Sequence, residues 1–353
     1  MKKIFLRITV ILISFLFASA VKAQWVKTNG PCGGQIESLA VSGTDIFAGT
    51  YNGIYISTND GQNWNAADNG LSKTNVQSMA VSEGNIFAGT WGGGVYLSTN
   101  NGSSWIAANN GLTDKYINTL AVCGKDIFAG TDGDGVYLST NNGASWTLVN
   151  NGLAFTNVQA LAVSGTNIFA GTDGGVYLST NNGSSWMAVN NGLANIYISS
   201  FTVCGTNIFA GTNSGVYLST SNGSSWAAVN KGLTNVDISS LAADGTNIFA
   251  GTGCGVYLST NNGSSWTAVN KGLSKSIVLS LVISGTNIFA GTSCNGIWKC
   301  PLSEMVTAIK GTQDNLQSYC LLSQNYSQIN STRVHLITTR FKKSVLLTLM
   351  FII

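Results

Sequence analysis

Residues 158–192 read VQALAVSGTNIFAGTDGGVYLSTNNGSSWMAVNNG. Four short apolar runs stand between clusters of Gly, Asn, Asp and Ser. Residues 158–163 end at Ser164-Gly165-Thr166, 167–171 at Thr172-Asp173-Gly174, 175–179 at Asn181-Asn182-Gly183, and 185–189 at Asn190-Asn191-Gly192. Each run is too short for a stable helix and is bounded by turn formers, so each is predicted to be a strand.

The stretch is one copy of a repeat. Ile-Phe-Ala-Gly-Thr begins at Ile46, Ile86, Ile127, Ile168, Ile208, Ile248 and Ile288, at intervals of 40 or 41 residues. A Ser-to-Trp segment follows six of the seven, beginning at Ser57, Ser98, Ser139, Ser179, Ser219 and Ser259. A helical repeat of this length is excluded, because no copy holds ten residues free of Gly-containing turn signals. Four strands per unit of this size predict the blade of a β-propeller. The seventh copy stops after its third strand, Gly296-Ile297-Trp298, and the missing fourth strand stands at the other end: Gln24-Trp25-Val26-Lys27-Thr28-Asn29-Gly30 aligns with 185–192. The expected fold is all-β, a seven-bladed propeller of four-stranded blades over residues 24–303, its last blade closed by the N-terminal strand. Closure of this kind removes free sheet edges.

Composition agrees. Of 353 residues, 42 are Gly and only 9% are charged, which disfavours helices and favours short strands and tight turns. The net charge of +3 comes largely from the two ends. The middle is near neutral or slightly acidic, which argues against a nucleic-acid partner. Lys2, Lys3 and Arg7, the apolar run 8–20 and the small residues of Val21-Lys22-Ala23 read as an export signal over 1–23. The run is shorter than the roughly 20 residues a spanning helix needs, so no membrane span is expected once the signal is removed. The same holds for the apolar stretch 345–353. Residues 304–353 are expected to form a tail without regular structure, and the ring to act as a monomer.

The segment Ser-Thr-Asn-x-Gly-x-x-Trp resembles the Asp-box, or BNR repeat, of sialidases, sortilin-type receptors and photosystem-assembly-factor-like propellers. The resemblance covers residues 24 to about 303. It implies that Trp64, Trp105, Trp146, Trp186, Trp226 and Trp266 pack between neighbouring sheets. Each would remove about 150–250 Å² from water, roughly 4–6 kcal/mol before entropy. Gly61, Gly102, Gly143, Gly183, Gly223 and Gly263 are expected to take positive φ. The chain departs from the family at the box's Asp, which here is Asn59, Asn100, Asn141, Asn181, Ser221 or Asn261.

A sialidase-like site needs arginines to hold a carboxylate. The three arginines, Arg7, Arg333 and Arg340, and the one histidine, His335, all lie outside the blades. No catalytic residue, cofactor or metal is therefore expected, and Asp132-Gly133-Asp134-Gly135 lacks the further carboxylate a calcium loop would need. The resemblance also implies that the loops from second to third strand, and from fourth strand to the next first, share one face. There the repeats differ most. One set carries Tyr51, Trp91, Asp132, Asp134 and Asp173. The other carries Lys73, Asp114, Lys115, Tyr116, Phe155, Tyr197, Lys231, Asp237, Lys271 and Lys275. Unlike aromatics on a monotonous scaffold suit a protein or glycan ligand. Tyr51, Trp91, Tyr116, Phe155, Tyr197, Asp132, Asp134 and Asp173 are the candidate binding residues.

The expected function is an exported, non-catalytic protein- or glycan-binding scaffold. The alternatives are a glycoside hydrolase-like enzyme and an assembly factor for an envelope complex. Seven cysteines leave at least one unpaired, with Cys254 and Cys294 at matching positions in adjacent copies. In the tail, Leu322-Ser323-Gln324-Asn325-Tyr326 resembles the opening of the C-terminal sorting domain of type IX secretion, which implies the envelope or exterior of a Gram-negative bacterium. The Pro-Asn-Pro-Phe-Asn-Pro run of that family does not follow, as in a decayed or frameshifted domain.

Overall fold

The computed structural model describes residues 24–31, 34–72, 75–194, 197–274 and 276–305, and the backbone of the strands Val334–Arg340 and Leu346–Ile352. The expected export signal and the sorting-domain resemblance lie outside the described residues.

Each repeat folds into one antiparallel four-stranded sheet. In blade 1 the strands are Ile36–Ser42, Asp45–Thr50, Gly53–Ser57 and Asn65–Ala66, side by side in chain order. Blades 2 to 6 repeat this over 76–107, 117–148, 158–188, 198–228 and 238–268. Blade 7 takes Val278–Ser284, Asn287–Thr292 and Ile297–Pro301, and receives Val26–Lys27 as its outer strand, with Val26 opposite Lys299 and Lys27 opposite Trp298. The first strands of successive blades adjoin all the way round, that of blade 7 lying against that of blade 1. The chain is the seven-bladed propeller expected, sealed by its own N-terminal segment.

The core lies between blades, in seven clusters. Each joins the second-strand Phe of one blade to the second-strand Ile and the Trp of the next: Phe128 meets Ile168 and Trp186, and Phe249 meets Ile288 and Trp25. The second-strand glycine sets the distance between blades. A methyl group on Gly171 would fall 2.6 Å from Cγ2 of Ile198, and one on Gly291 would fall 2.5 Å from Cγ2 of Ile36. The ring therefore closes through the contact that builds it. The Thr after each glycine is buried and donates its hydroxyl to the carbonyl of the Gly that opens the third strand, as in Thr172 to Gly175 at 2.9 Å. This bond recurs in all seven blades.

Two features lie beyond the repeat. Every first strand carries a bulge at its second residue: Glu37, Gln77, Asn118, Gln159, Ser199, Ser239 or Leu279 is passed over in the register. After Pro301 a single helical turn, 302–305, brings Met305 fully into the cluster that holds Phe249. In the other six interfaces this Phe is met by the glycine of the next blade's turn, as Phe209 is by Gly263. Met305 stands in for the turn that blade 7 lacks, and the packed core reaches two residues past 303. Within the stretch 304–353, read from sequence as a tail without regular structure, Val334–Arg340 and Leu346–Ile352 pair as an antiparallel hairpin.

Candidate binding face

An up-and-down sheet sends its connections to two faces in alternation. The first-to-second turns and the Ser-to-Trp turns share one, here the turn face. The second-to-third turns and the links to the next blade share the other, the loop face.

The turn face satisfies itself. Ser179 Oγ accepts the Gly183 N–H at 2.9 Å and donates to Asn181 Oδ1 at 3.0 Å. Asn181 Oδ1 also accepts the Ser185 N–H at 2.9 Å, and its Nδ2 donates to Ser185 Oγ at 2.9 Å. Here lies the physical reason Asn serves at this position: the amide accepts and donates at once, where a carboxylate only accepts. Asn182 and Gly183 both take positive φ, 55° and 81°, the pair a tight I′ turn requires. Trp186 Nε1 crosses to the preceding blade and donates to the Val149 carbonyl at 2.7 Å. Trp105, Trp146, Trp226 and Trp266 do the same, and Trp25 plays this part for blade 7, reaching the Val269 carbonyl at 2.7 Å. Trp64 differs: it is half-buried, and its Nε1 is buried without a hydrogen-bond partner.

On the loop face each blade presents two residues side by side, one just after the second strand and one just before the first. Their backbones join in blades 2, 3 and 7: Trp91 N–H to Asn75 O, Asp132 N–H to Tyr116 O, and Ser293 N–H to Ile277 O, at 2.9–3.0 Å. Read round the ring, the pairs are Gln35/Tyr51, Asn75/Trp91, Tyr116/Asp132, Asn157/Asp173, Tyr197/Asn213, Asp237/Gly253 and Ile277/Ser293. Six of the eight candidate residues fall in this layer. The other two do not. Phe155 lies over Gly174, where any Cβ would strike its ring. Asp134 is held inside the loops, its Oδ2 accepting the hydroxyls of Tyr137 at 2.8 Å and Thr113 at 2.6 Å. Asp114 is likewise occupied, accepting the N–H groups of Tyr116, Gly133 and Asp134. Lys73 and Lys275 lie outside the described residues.

Two sectors result. Across blades 1 to 3 stand Tyr51, Trp91 and Tyr116, all exposed. The Trp91 and Tyr116 rings meet edge-on, with centroids 5.0 Å apart and planes at 68°. Across blades 3 to 6, Asp132, Asp173 and Asp237 share the loop face with Tyr197. Burial raises the Tyr197 hydroxyl above its ordinary pKa, and the charges of Asp173, Asp237 and Asp132 add to that. Among the described residues, none of these three carboxylates has a hydrogen-bond or ion-pair partner. Val236 and Ile277 are also exposed. They continue the apolar series round the ring and were missed in the sequence because they are not aromatic; their place within two residues of the start of a first strand is the signal that marks them. Burial also raises the pKa of Glu37, at the bulge of blade 1.

Clefts of about 470 and 520 Å³ flank blade 7 on this face. The first is lined by Tyr51, Asn52 and Cys294 among others, the second by Cys254, Ile277 and Cys294 among others. Cys254 and Cys294 are free thiols, and both are exposed. Among the described residues no group of three or more His, Cys, Asp or Glu is placed to hold a metal ion, and no helix is long and apolar enough to cross a membrane.

No known protein-family model matches the sequence, and no curated protein does. The fold is shared with solved structures. The extracellular domain of a putative one-component system from B. thetaiotaomicron superposes with a TM-score of 0.66 at 17% identity, over 78% of this chain and 39% of that one. YCF48 bound to D1 peptide gives 0.65 at 13% identity, over 79% and 96%. The GH74 xyloglucanase from Xanthomonas campestris gives 0.63 at 16% identity, over 78% and 53%. The chain thus spans about two fifths of the first of these and about half of the third. The likeness is one of fold: a seven-bladed β-propeller, used by an extracellular domain, a peptide-bound protein and an enzyme alike.

Proposed function

We propose that this chain is an exported, non-catalytic scaffold whose loop face binds a protein or glycan partner. The observation that carries the reading is the contrast within one repeat: the buried and turn positions are nearly invariant between blades, while the paired loop-face positions differ in every blade and hold the exposed aromatics. Surface residues that differ on a rigid, repeated frame are where recognition sits. A propeller of the same fold bound to a peptide supports the reading by analogy of fold. We read the Ser-to-Trp turns as Asp-boxes kept for their turn chemistry, and residues 1–23 as the export signal.

The inventory weighs against catalysis. Residues 24–303 hold no Arg and no His, so carboxylate clamps and imidazole acid–base chemistry are not to hand. A hydrolase reading has to rest on Asp132, Asp173 and Asp237, and the xyloglucanase of the same fold keeps it as the second candidate. An assembly role beside an envelope complex is one form of the binding reading. The purified chain, offered a panel of polysaccharides, glycosides and immobilised envelope proteins, is expected to retain a ligand without turnover and to release it on Trp91→Ala/Tyr116→Ala. Turnover abolished by Asp173→Asn would overturn the reading.

A further inference from the structure

We propose that the loop face docks an extended, lysine- and arginine-bearing segment of a second protein, its cations seated on Trp91 and Tyr116 and against Asp132, Asp173 and Asp237. This rests on the binding reading above and gives the partner its chemistry. The argument is one of charge complementarity. Residues 24–303 carry twelve carboxylates against eight lysines and no arginine. Of the carboxylates on the loop face, Asp114 and Asp134 are consumed by the loops themselves, whereas among the described residues Asp132, Asp173 and Asp237 make no ion pair, and the charges of all three act on Tyr197.

Covering such carboxylates with an apolar ligand strips their water and returns nothing, and an uncharged polar ligand returns hydrogen bonds but leaves their charge unneutralised. A neutral glycan fits the aromatic sector, and its hydroxyls can donate to the acidic one, but it leaves three like charges uncompensated. An acidic ligand is worse on both counts. A guanidinium or ammonium suits both sectors: it stacks on exposed indole and phenol rings and neutralises the aspartates. Asn75 adds to the match, its Oδ1 being buried without a donor beside Trp91. Because the groups are spread over blades 2 to 6, the ligand must present several cations along an extended chain. The basic residues of this chain's own tail are not the occupant chosen, because the chain leaves blade 7 on the opposite face, where Met305 is seated in the core.

The test is fluorescence anisotropy of a labelled hexapeptide of alternating Gly and Arg with the full chain at low salt. Binding is expected to weaken about tenfold or more in Asp132→Asn/Asp173→Asn/Asp237→Asn, and again in Trp91→Ala/Tyr116→Ala, and to fall as salt is raised. Asp244→Asn, an exposed aspartate of the turn face, is expected to change it less than about twofold. An alternating Gly-Glu peptide is expected not to bind. Equal binding by the triple variant, with its thermal unfolding unchanged, overturns the proposal, and so does spermine competing as strongly as the peptide. An uncharged oligosaccharide held through Trp91 while the Arg peptide is not also overturns it, yet leaves the scaffold reading standing. A gain of fivefold or more on changing Arg333, Arg340, Lys342 and Lys343 to Gln places the tail on the face and overturns the choice of a second protein.

Discussion

On the turn face of the ring, six turns repeat nearly the same residues, and nearly every polar atom finds its partner within the turn. On the loop face no two blades present the same pair, and Tyr51, Trp91 and Tyr116 stand exposed there. Both faces hang from the same seven sheets, so the difference is not imposed by the fold. Uniformity marks where the chain is obliged to satisfy itself, and variety marks where it is free to satisfy something else. Blade 7 sharpens the point. It lacks the turn, and its neighbours repair the loss with Trp25 and Met305, while its loop-face pair, Ile277/Ser293, needs no repair.

The largest effect on the structural side is expected at that repair. Trp25 is fully buried and hydrogen-bonded to the Val269 carbonyl, so Trp25→Ala should cost about 3–5 kcal/mol in denaturant unfolding. A loss near that of an exposed residue would mean that the N-terminal segment does not seal the ring. Next comes the spacing between blades. Gly171→Ala forces a methyl against Ile198 and should cost about 1–3 kcal/mol, measured the same way. Within a single turn, Ser179→Ala strands the Gly183 N–H, a loss of about 1–3 kcal/mol.

These sites were largely legible in the sequence. Seven copies of Ile-Phe-Ala-Gly-Thr at near-constant spacing set the blade count, and the truncated seventh copy with Trp25 at the far end pointed to the closure. Asn-Gly pairs marked the turns. What stayed hidden depends on partners distant in sequence. Asp134 looks like a free loop carboxylate until Thr113 and Tyr137 close on it. Phe155 rests over Gly174, which has no side chain to hold it off, while about half of it stays exposed. Met305 carries no repeat signature, because it replaces one. The bulge at Glu37 leaves no mark, since one extra residue in a seven-residue strand does not disturb the spacing.

Smaller effects test the chemistry of single groups. Cys300 occupies the position held by Ser in the other blades. It is buried beside Met305, and burial, with the charge of Glu304 adding to it, pushes its thiol from an ordinary value of 9.0 up to about 12. Because the folded chain holds the proton more tightly than the unfolded one, Cys300 supports the fold fully below about pH 9, and that support is lost as pH rises toward 12. Alkylation of the native chain near pH 8 is expected to label Cys254 and Cys294 and to spare Cys300 until the chain is unfolded. Labelling of Cys300 at the rate of the other two would refute its burial. The slightest change is expected at Glu37. Its carboxyl is raised by burial alone, so it favours the folded state when protonated and opposes it when charged. Glu37→Gln, which places there the residue already present at Gln77 and Gln159, should be the more stable form at neutral pH, with the difference shrinking on acidification.

The division of labour between the faces is tested most directly by measuring unfolding and ligand retention side by side on Ser179→Ala and on Trp91→Ala/Tyr116→Ala. The turn variant is expected to lose stability and keep its ligand. The loop variant is expected to keep its stability to within about 0.5 kcal/mol per substitution and lose its ligand. A folded turn variant that no longer binds, or a loop variant that binds as before, would contradict the account.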